Sequence, residues 1–272
     1  MTGLDLELRD KPERIVCLTE DPTEILYELG EGDRVVGVSA YTERPPDAKQ
    51  KPVVSAFIGG SVDKIRDLEP DLVIGFSDIQ GELARDLVEA NLQVLIFNQR
   101  SIQEILDVVM TLGRTVGAEE RARQLVRSYI DRLRRAAERT ARQSSRPDVY
   151  FEEWNDPQIC GIQWVGELVE LAGGRNVFAE RAAGKQAEDR YVSHEEVVEA
   201  DPDVIVASWC GEPVDRESFA ERPGFDSVTA VRNDDIYEID STLILQPGPA
   251  ALTDGLGELE SILRPRAAAP SG

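Results

Sequence analysis

The chain has 272 residues, with 52 Asp or Glu against 30 Lys or Arg for a formal net charge of −22, and 41% of its residues are hydrophobic. That length suits two domains or one large one, and the apolar fraction can fill a substantial core. So acidic a chain lacks the basic face that neutralises phosphates, which argues against nucleic acid and anionic membrane surfaces as partners.

No stretch approaches the ~18 consecutive apolar residues of a membrane span, so no membrane insertion is expected. The opening MTGLDLELRDKPERIV has no basic segment followed by an apolar run. As it stands the sequence therefore predicts a cytoplasmic protein, or a periplasmic or extracellular one if a leader was removed. Cys17, Cys160 and Cys210 are too few and scattered for a disulfide framework, and the single His194 excludes multi-histidine zinc sites.

Short apolar runs at 14–18 (RIVCL), 35–39 (VVGVS), 72–75 (LVIG) and 94–97 (VLIF) predict buried strands. Between the first two, Asp21-Pro22-Thr23-Glu24 predicts a helix start. Asp21 caps, Pro22 takes the first helical position, Glu24 closes a capping box, and Gly30 ends the helix. Residues 61–68 and 80–90 predict further helices, each feeding a strand, and this alternation points to a parallel sheet covered on both faces. From 117 to 142 apolar residues recur at three- and four-residue spacing, giving one helix about 40 Å long.

The alternation restarts with strands at 149–152, 204–207 and 236–239 and helices at 164–172, 193–200 and 255–263, before a tail RPRAAAPSG that reads as disordered. LEPDLVIGF in the first half is echoed by EADPDVIVASW in the second. The expected fold is α/β: two Rossmann-like lobes, 1–116 and 147–272, with parallel sheets bridged by one long backbone helix within 117–146. A ligand cleft between such lobes would be lined by the loops that follow the strands.

No phosphate-binding G-x-x-x-x-G-K-[ST] loop, no G-x-G-x-x-G after the first strand and no G-x-S-x-G elbow is present, and a non-enzymatic protein is expected. The informative residues are aromatics at predicted strand ends: Phe57, Phe76, Trp154 and Trp209, with Ser77, Asp78, Asn155 and Asp156 beside them. Two readings fit them, a grip on a flat, mostly apolar ligand or core plugs at the sheet ends. Asn98-Gln99-Arg100 and Gln246-Pro247-Gly248-Pro249 add polar loops that could orient a ligand's edge or cap turns.

Five stretches together carry a resemblance: RIVCLTEDPTEILYELGEGDRVVGVSAYTERPP, KIRDLEPDLVIGF, EEWNDPQICGIQWVGELVELAGG, DPDVIVASWCG and ILQPGPAALTDGL. They resemble BtuF-like cobalamin-binding proteins, within the ABC-transporter substrate-binding proteins with a helical backbone (the class III periplasmic-binding-protein fold), over nearly the whole chain. The resemblance implies two lobes bridged by one helix, a small-molecule ligand held between them, no intrinsic cofactor, a monomer, and delivery to an ABC permease. The family's first two cleft tryptophan positions fall on Phe57 and Phe76, and Trp154 lies on the second-lobe motif. One transporter-docking acid per lobe falls on Asp63, in SVDKI, and Glu195, in VSHEE. Gln246 and Ala250 depart from an RPGPR motif common among relatives, a loss of charge that alters anionic-ligand recognition and makes ferric-siderophore carboxylates less attractive ligands.

The expected ligand is thus a corrinoid such as cobalamin, or a similar metal chelate, at Phe57, Phe76, Asp78, Trp154, Asn155, Trp209 and Gln246. The alternative is a cytosolic relative, a metal or cofactor chaperone or an enzyme, that uses the Trp209-Cys210-Gly211 loop with Glu153 and His194.

Overall fold

In the computed structural model, which describes residues 11–56 and 58–267 (backbone only for 265–267), the chain forms two units. One comprises the chain up to Gln99 with Leu106–Val126; the other comprises Arg100–Ile105 with the chain from Arg127 onward.

In the first unit the order is β1 (Ile15–Cys17), α1 (Glu20–Glu28), β2 (Val35–Ser39), β3 (Val53–Ala56), β4 (Gly59–Gly60), α2 (Val62–Asp67), β5 (Leu72–Phe76), α3 (Gly81–Glu89) and β6 (Val94–Phe97). The strands pair as β4-β3-β2-β1-β5-β6, parallel except for the β3–β4 hairpin. Val16, Leu18, Val73 and Ile65 pack with Leu83 and Leu87 of α3 in a buried core cluster.

Two helices follow, α4 (Ile102–Thr115) and α5 (Glu119–Thr140). The helix expected within 117–142 is α5, whose 22 residues span about 33 Å; the boundary between the two units falls inside it, after Val126, and the chain also crosses between them at either end of Arg100–Ile105. The predicted stripe is buried at Ala122, Tyr129, Leu133 and Ala136, whereas Ile130 is exposed. α4 was not expected, although Ser101 and Glu104 form its cap. Glu104 accepts the N–H groups of Arg100 and Ser101 at 2.6 and 3.0 Å, and the Ser101 hydroxyl accepts that of Glu104 at 3.2 Å.

The second unit contains β7 (Asp148–Asn155), β8 (Gln158–Cys160), α6 (Gln163–Ala172), β9 (Arg175–Asn176), α7 (Ala179–Ala182), α8 (His194–Ala200), β10 (Val204–Ala207), α9 (Ser218–Glu221), α10 (Thr229–Arg232), β11 (Ile236–Glu238), α11 (Ser241–Ile244) and α12 (Leu256–Ala267). Its sheet runs β11-β10-β7-β8, with β9 also on β7, and only the β7–β8 hairpin is antiparallel. A π turn at Ala251–Gly255 leads into α12. That helix continues through Ala267, so residues 264–267 of the expected tail are helical, and 268–272 lie outside the described residues.

The internal echo is a shared backbone device. Glu69 and Asp201, each just before a Pro-Asp pair, adopt left-handed φ values of 46° and 42°. Asp71 then accepts the N–H groups of Glu13 and Arg14 at the start of β1, at 2.8 and 3.0 Å. Asp203 accepts that of Asp148 at the start of β7, at 2.8 Å. In both units the helix-to-strand turn thereby fixes the entry of the central strand.

Close packing of α4 on α5 in the first unit depends on Gly113, where an added Cβ would lie 2.3 Å from the Ala122 Cβ. Gly113→Ala is expected to cost about 1–3 kcal/mol in urea denaturation through overpacking. Gly81→Ala, with nothing within 4 Å of the new methyl, is expected to be neutral or slightly stabilising.

Candidate functional site

In open α/β sheets ligands bind outside the carboxyl ends of the strands, where the strand order reverses. In the first unit that point lies between β1 and β5, because β2 and β3 extend to one side of β1 and β5 and β6 to the other. The loops leaving these strands are tied together. The Leu18 carbonyl accepts the Ser55 hydroxyl at 3.0 Å and the Gln80 amide at 3.4 Å. Gln80 in turn accepts the Phe76 N–H at 3.1 Å, and the Gln99 amide donates to Asp21 at 2.9 Å. Ser77, between Phe76 and Asp78, is held at φ 69°, a strained turn conformation for a residue with a side chain.

Asp21 is not the helix cap. α1 begins at Glu20 with Thr19 in the cap position, and the Thr19 hydroxyl donates to Asp21 at 2.7 Å instead of accepting from the helix. The Asp21 carboxylate turns inward and is 2% exposed, so burial pushes its pKa up to about 7 against the opposing pull of its Thr19 and Gln99 hydrogen bonds. Burial likewise pushes Glu20 up to about 7, with Asp21 adding to the rise. Two carboxyl groups therefore sit side by side at the exit of the central strand, both poised to titrate near neutrality.

In the second unit the reversal lies between β7 and β10. Glu152, near the carboxyl end of β7, is fully buried and ionically paired with Arg222, whose two terminal nitrogens donate at 2.6 and 2.9 Å. It also accepts from the Tyr150 hydroxyl at 3.0 Å, the Gln158 amide at 3.2 Å and the Trp209 indole at 3.1 Å. The Arg222 guanidinium lies 3.9 Å over the Phe219 ring, on which Trp209 stacks at 6.3 Å. Beyond Trp209, a cavity of about 440 Å³ is lined by Glu212, Glu238, Asp240 and Thr242 at the exits of β10 and β11.

These contacts sort the expected residues. Phe76 ends β5 and is 7% exposed, while Asp78 is exposed in the turn that follows. Trp154 and Asn155 are half-buried on the β7–β8 hairpin, the Trp154 indole donating to the Asp156 carbonyl at 3.0 Å. Trp209 is 6% exposed and belongs to the core cluster, so the core-plug reading describes most of its surface, although its rim reaches the cavity. Gln246 is buried, and Phe57 lies outside the described residues. Asp63 is exposed on α2, paired with Arg66 at 2.7 Å, and Glu195 is exposed in the first turn of α8.

The thiol constellation does not assemble. Cys210 is exposed, but Glu153 is held by Arg190, with one contact at 2.9 Å, and His194 packs edge-on against Phe225 at 5.5 Å. Among the described residues no three His, Cys, Asp or Glu side chains are grouped to hold a metal. Cys17 and Cys160 are buried, and burial pushes both thiols up to about 12.

Sequence patterns missed Tyr41, Ile58 and Ile79 (48, 62 and 44% exposed), which follow β2, β3 and β5, and Tyr191 (39%), bridged to Ile159 of the hairpin strand β8. The available signal in the first unit is position: Tyr41, Ile58 and Ile79 stand two to four residues past the apolar runs VVGVS, VVSA and LVIG.

Two outcomes follow from the buried carboxyl groups. Asp21 and Glu20 are raised in the folded state, so their contribution to stability is complete below about pH 4 and is lost as pH rises through about 7. Asp21→Asn should therefore gain stability relative to the parent between pH 5.5 and 8 in urea melts. Arg222→Met leaves Glu152 charged and unpaired and should cost about 3–5 kcal/mol, part of which Glu152→Gln in the same chain restores.

A family model described as periplasmic binding protein matches residues 15–243. The Bacillus subtilis ABC transporter substrate-binding lipoprotein YvrC is 29% identical over 96% of this chain and 83% of its own length. The crystal structure of the periplasmic vitamin B12 binding protein BtuF of Vibrio cholerae superposes with a TM-score of 0.75 at 26% identity, covering 95% of this chain and 99% of that one. The apo periplasmic haem-binding protein RhuT of Roseiflexus sp. RS-1 gives 0.78 at 26%, covering 92% and 98%. With a match over most of its length, this chain belongs to the periplasmic binding protein family.

Proposed function

We propose that this protein is the solute-binding component of an ABC importer and that its ligand is a corrinoid or a similar planar metal chelate. The observation that carries the reading is the set of large flat or branched side chains left exposed at the carboxyl edges of the two parallel sheets. Tyr41, Ile58 and Ile79 are exposed in the first unit, and Tyr191 is exposed and Trp154 half-buried in the second. Such surfaces suit the faces of a rigid macrocycle, which loses little conformational entropy when bound. The protein binds its ligand without transforming it, acts outside the cytoplasmic membrane as the names of its relatives indicate for them, and meets its permease through Asp63 and Glu195. No helix of the described residues is long and apolar enough to cross a membrane.

Titration with cyanocobalamin and with haem, followed by absorbance and calorimetry, tests the reading. One-to-one saturation by cyanocobalamin in the micromolar range or tighter is expected. Trp154 is half-buried on the β7–β8 hairpin, and Trp154→Ala is expected to weaken cyanocobalamin binding by about 2- to 10-fold through loss of aromatic contact. Absence of saturable binding of either compound below millimolar concentration rules the proposal out.

A further inference from the structure

Glu152 is fully buried, and the tryptophan it holds, Trp209, is among the residues lining the cavity of about 440 Å³ at the exits of β10 and β11. The hold has two points. The Glu152 backbone carbonyl accepts the Ser208 N–H at 2.9 Å, and its carboxylate accepts the Trp209 indole N–H at 3.1 Å. That carboxylate is itself fixed by both terminal nitrogens of Arg222, by Tyr150 and by Gln158. A further restraint is the stack of the indole on Phe219, at 6.3 Å with the rings 23° from parallel. An indole N–H does not need so elaborate an acceptor. Trp164, buried in the same unit, donates to the Ile244 carbonyl at 2.9 Å, and Trp154 donates to the Asp156 carbonyl at 3.0 Å. A buried ion pair is also a poor source of stability, because taking both charges out of water offsets most of what their attraction returns. What a charge-assisted bond to a locked carboxylate does supply is direction.

Resting on the ligand reading above, we propose that Glu152 is a positioning residue for ligand recognition: without touching the ligand, it fixes the Trp209 ring as a wall of the cavity at the exits of β10 and β11. Its hold also decides what that wall presents. The one polar group of the indole is turned inward to Glu152, so the rim left at the cavity is hydrocarbon, beside the acceptors Glu212, Glu238 and Asp240. Released from Glu152, the ring is free to seek those acids with its N–H, and the apolar wall is lost.

The test measures the affinity for cyanocobalamin and for haem in an Arg222→Met background, where position 152 can be made neutral without stranding a countercharge. Glu152→Gln keeps an acceptor for the indole N–H, whereas Glu152→Met keeps the length of the side chain and removes the acceptor. Urea melts of each variant confirm that it is folded during the titration, so that lost stability is not read as lost affinity. Glu152→Gln is expected to bind within about three-fold of the parent, and Glu152→Met about five- to twenty-fold more weakly than Glu152→Gln. Adding Trp209→Phe, whose ring has no N–H, should bring that difference below about two-fold. Benzothienylalanine at position 209, a ring of the same shape with sulfur in place of the N–H, leaves Glu152 and Arg222 intact and decides the matter even if Glu152→Met does not fold. There, binding at least about five-fold weaker is expected, and parent-like affinity overturns the proposal. Equal affinities of the Gln and Met variants overturn it too, as does a difference that survives in Trp209→Phe. Failure of both compounds to bind the parent chain removes the ligand reading and this role with it, whereas binding by every variant alike removes the role alone.

Discussion

A carboxylate taken out of water must be given either a proton or a countercharge, and the two units meet that requirement differently at the same topological place. Near the end of β7, Glu152 stays paired with Arg222 inside a shell of five donated hydrogen bonds. At the exit of β1, Asp21 accepts hydrogen bonds from the neutral Thr19 hydroxyl and Gln99 amide, and its affinity for a proton rises instead. The first solution makes a rigid block. Tyr150, Gln158, Trp209 and Arg222 are all oriented by one carboxylate, and Phe219 and Phe225 complete the packing around the guanidinium. The second leaves a strand exit whose charge state depends on pH and on whatever approaches it.

The opposite edges of the sheets are alike. Asp71 and Asp203 follow prolines, sit after left-handed residues, and bind the entry of a central strand. Such a device fixes register and is indifferent to ligand, so it can be kept identical in both halves. At the carboxyl edges the described residues share no such device: one half has a titratable pair and exposed Tyr41 and Ile79, the other a charge-locked tryptophan and an acid-lined cavity. Two halves that agree at their strand entries and differ at their strand exits keep one structural device at the entries and leave the exits, where open α/β sheets carry their ligand sites, free to diverge.

Which parts were legible follows from the range of the forces involved. Strands such as VLIF and VIVA announce themselves because apolar runs bounded by turns have few other uses, and the Pro-Asp echo is local. The start of α1 was misplaced because Asp21 has the right chemistry for a cap but a stronger tertiary use, its bond to Gln99 across 78 residues. α4 escaped although Ser101 and Glu104 spell a capping box, since the loop before it looked like a polar site rather than a helix entrance. Trp209 could not be assigned from sequence: whether an aromatic at a strand end faces ligand or core is decided by Glu152, 57 residues away, which accepts its N–H.

The acid excess of the whole chain acquires a local meaning at these edges. A net charge of −22 disfavours polyanionic partners by long-range repulsion, but such repulsion is screened within about 8–10 Å in ordinary salt. Selection among small ligands must therefore be made by groups that touch them. Glu20, Asp21 and Asp78 in one half and Glu212, Glu238 and Asp240 in the other supply acceptors at strand exits, and position 246 contributes a neutral glutamine. An anionic group brought to either edge would meet acceptors where it needs donors, so the side chains that give the chain its acidity also set the electrostatic character of these exits.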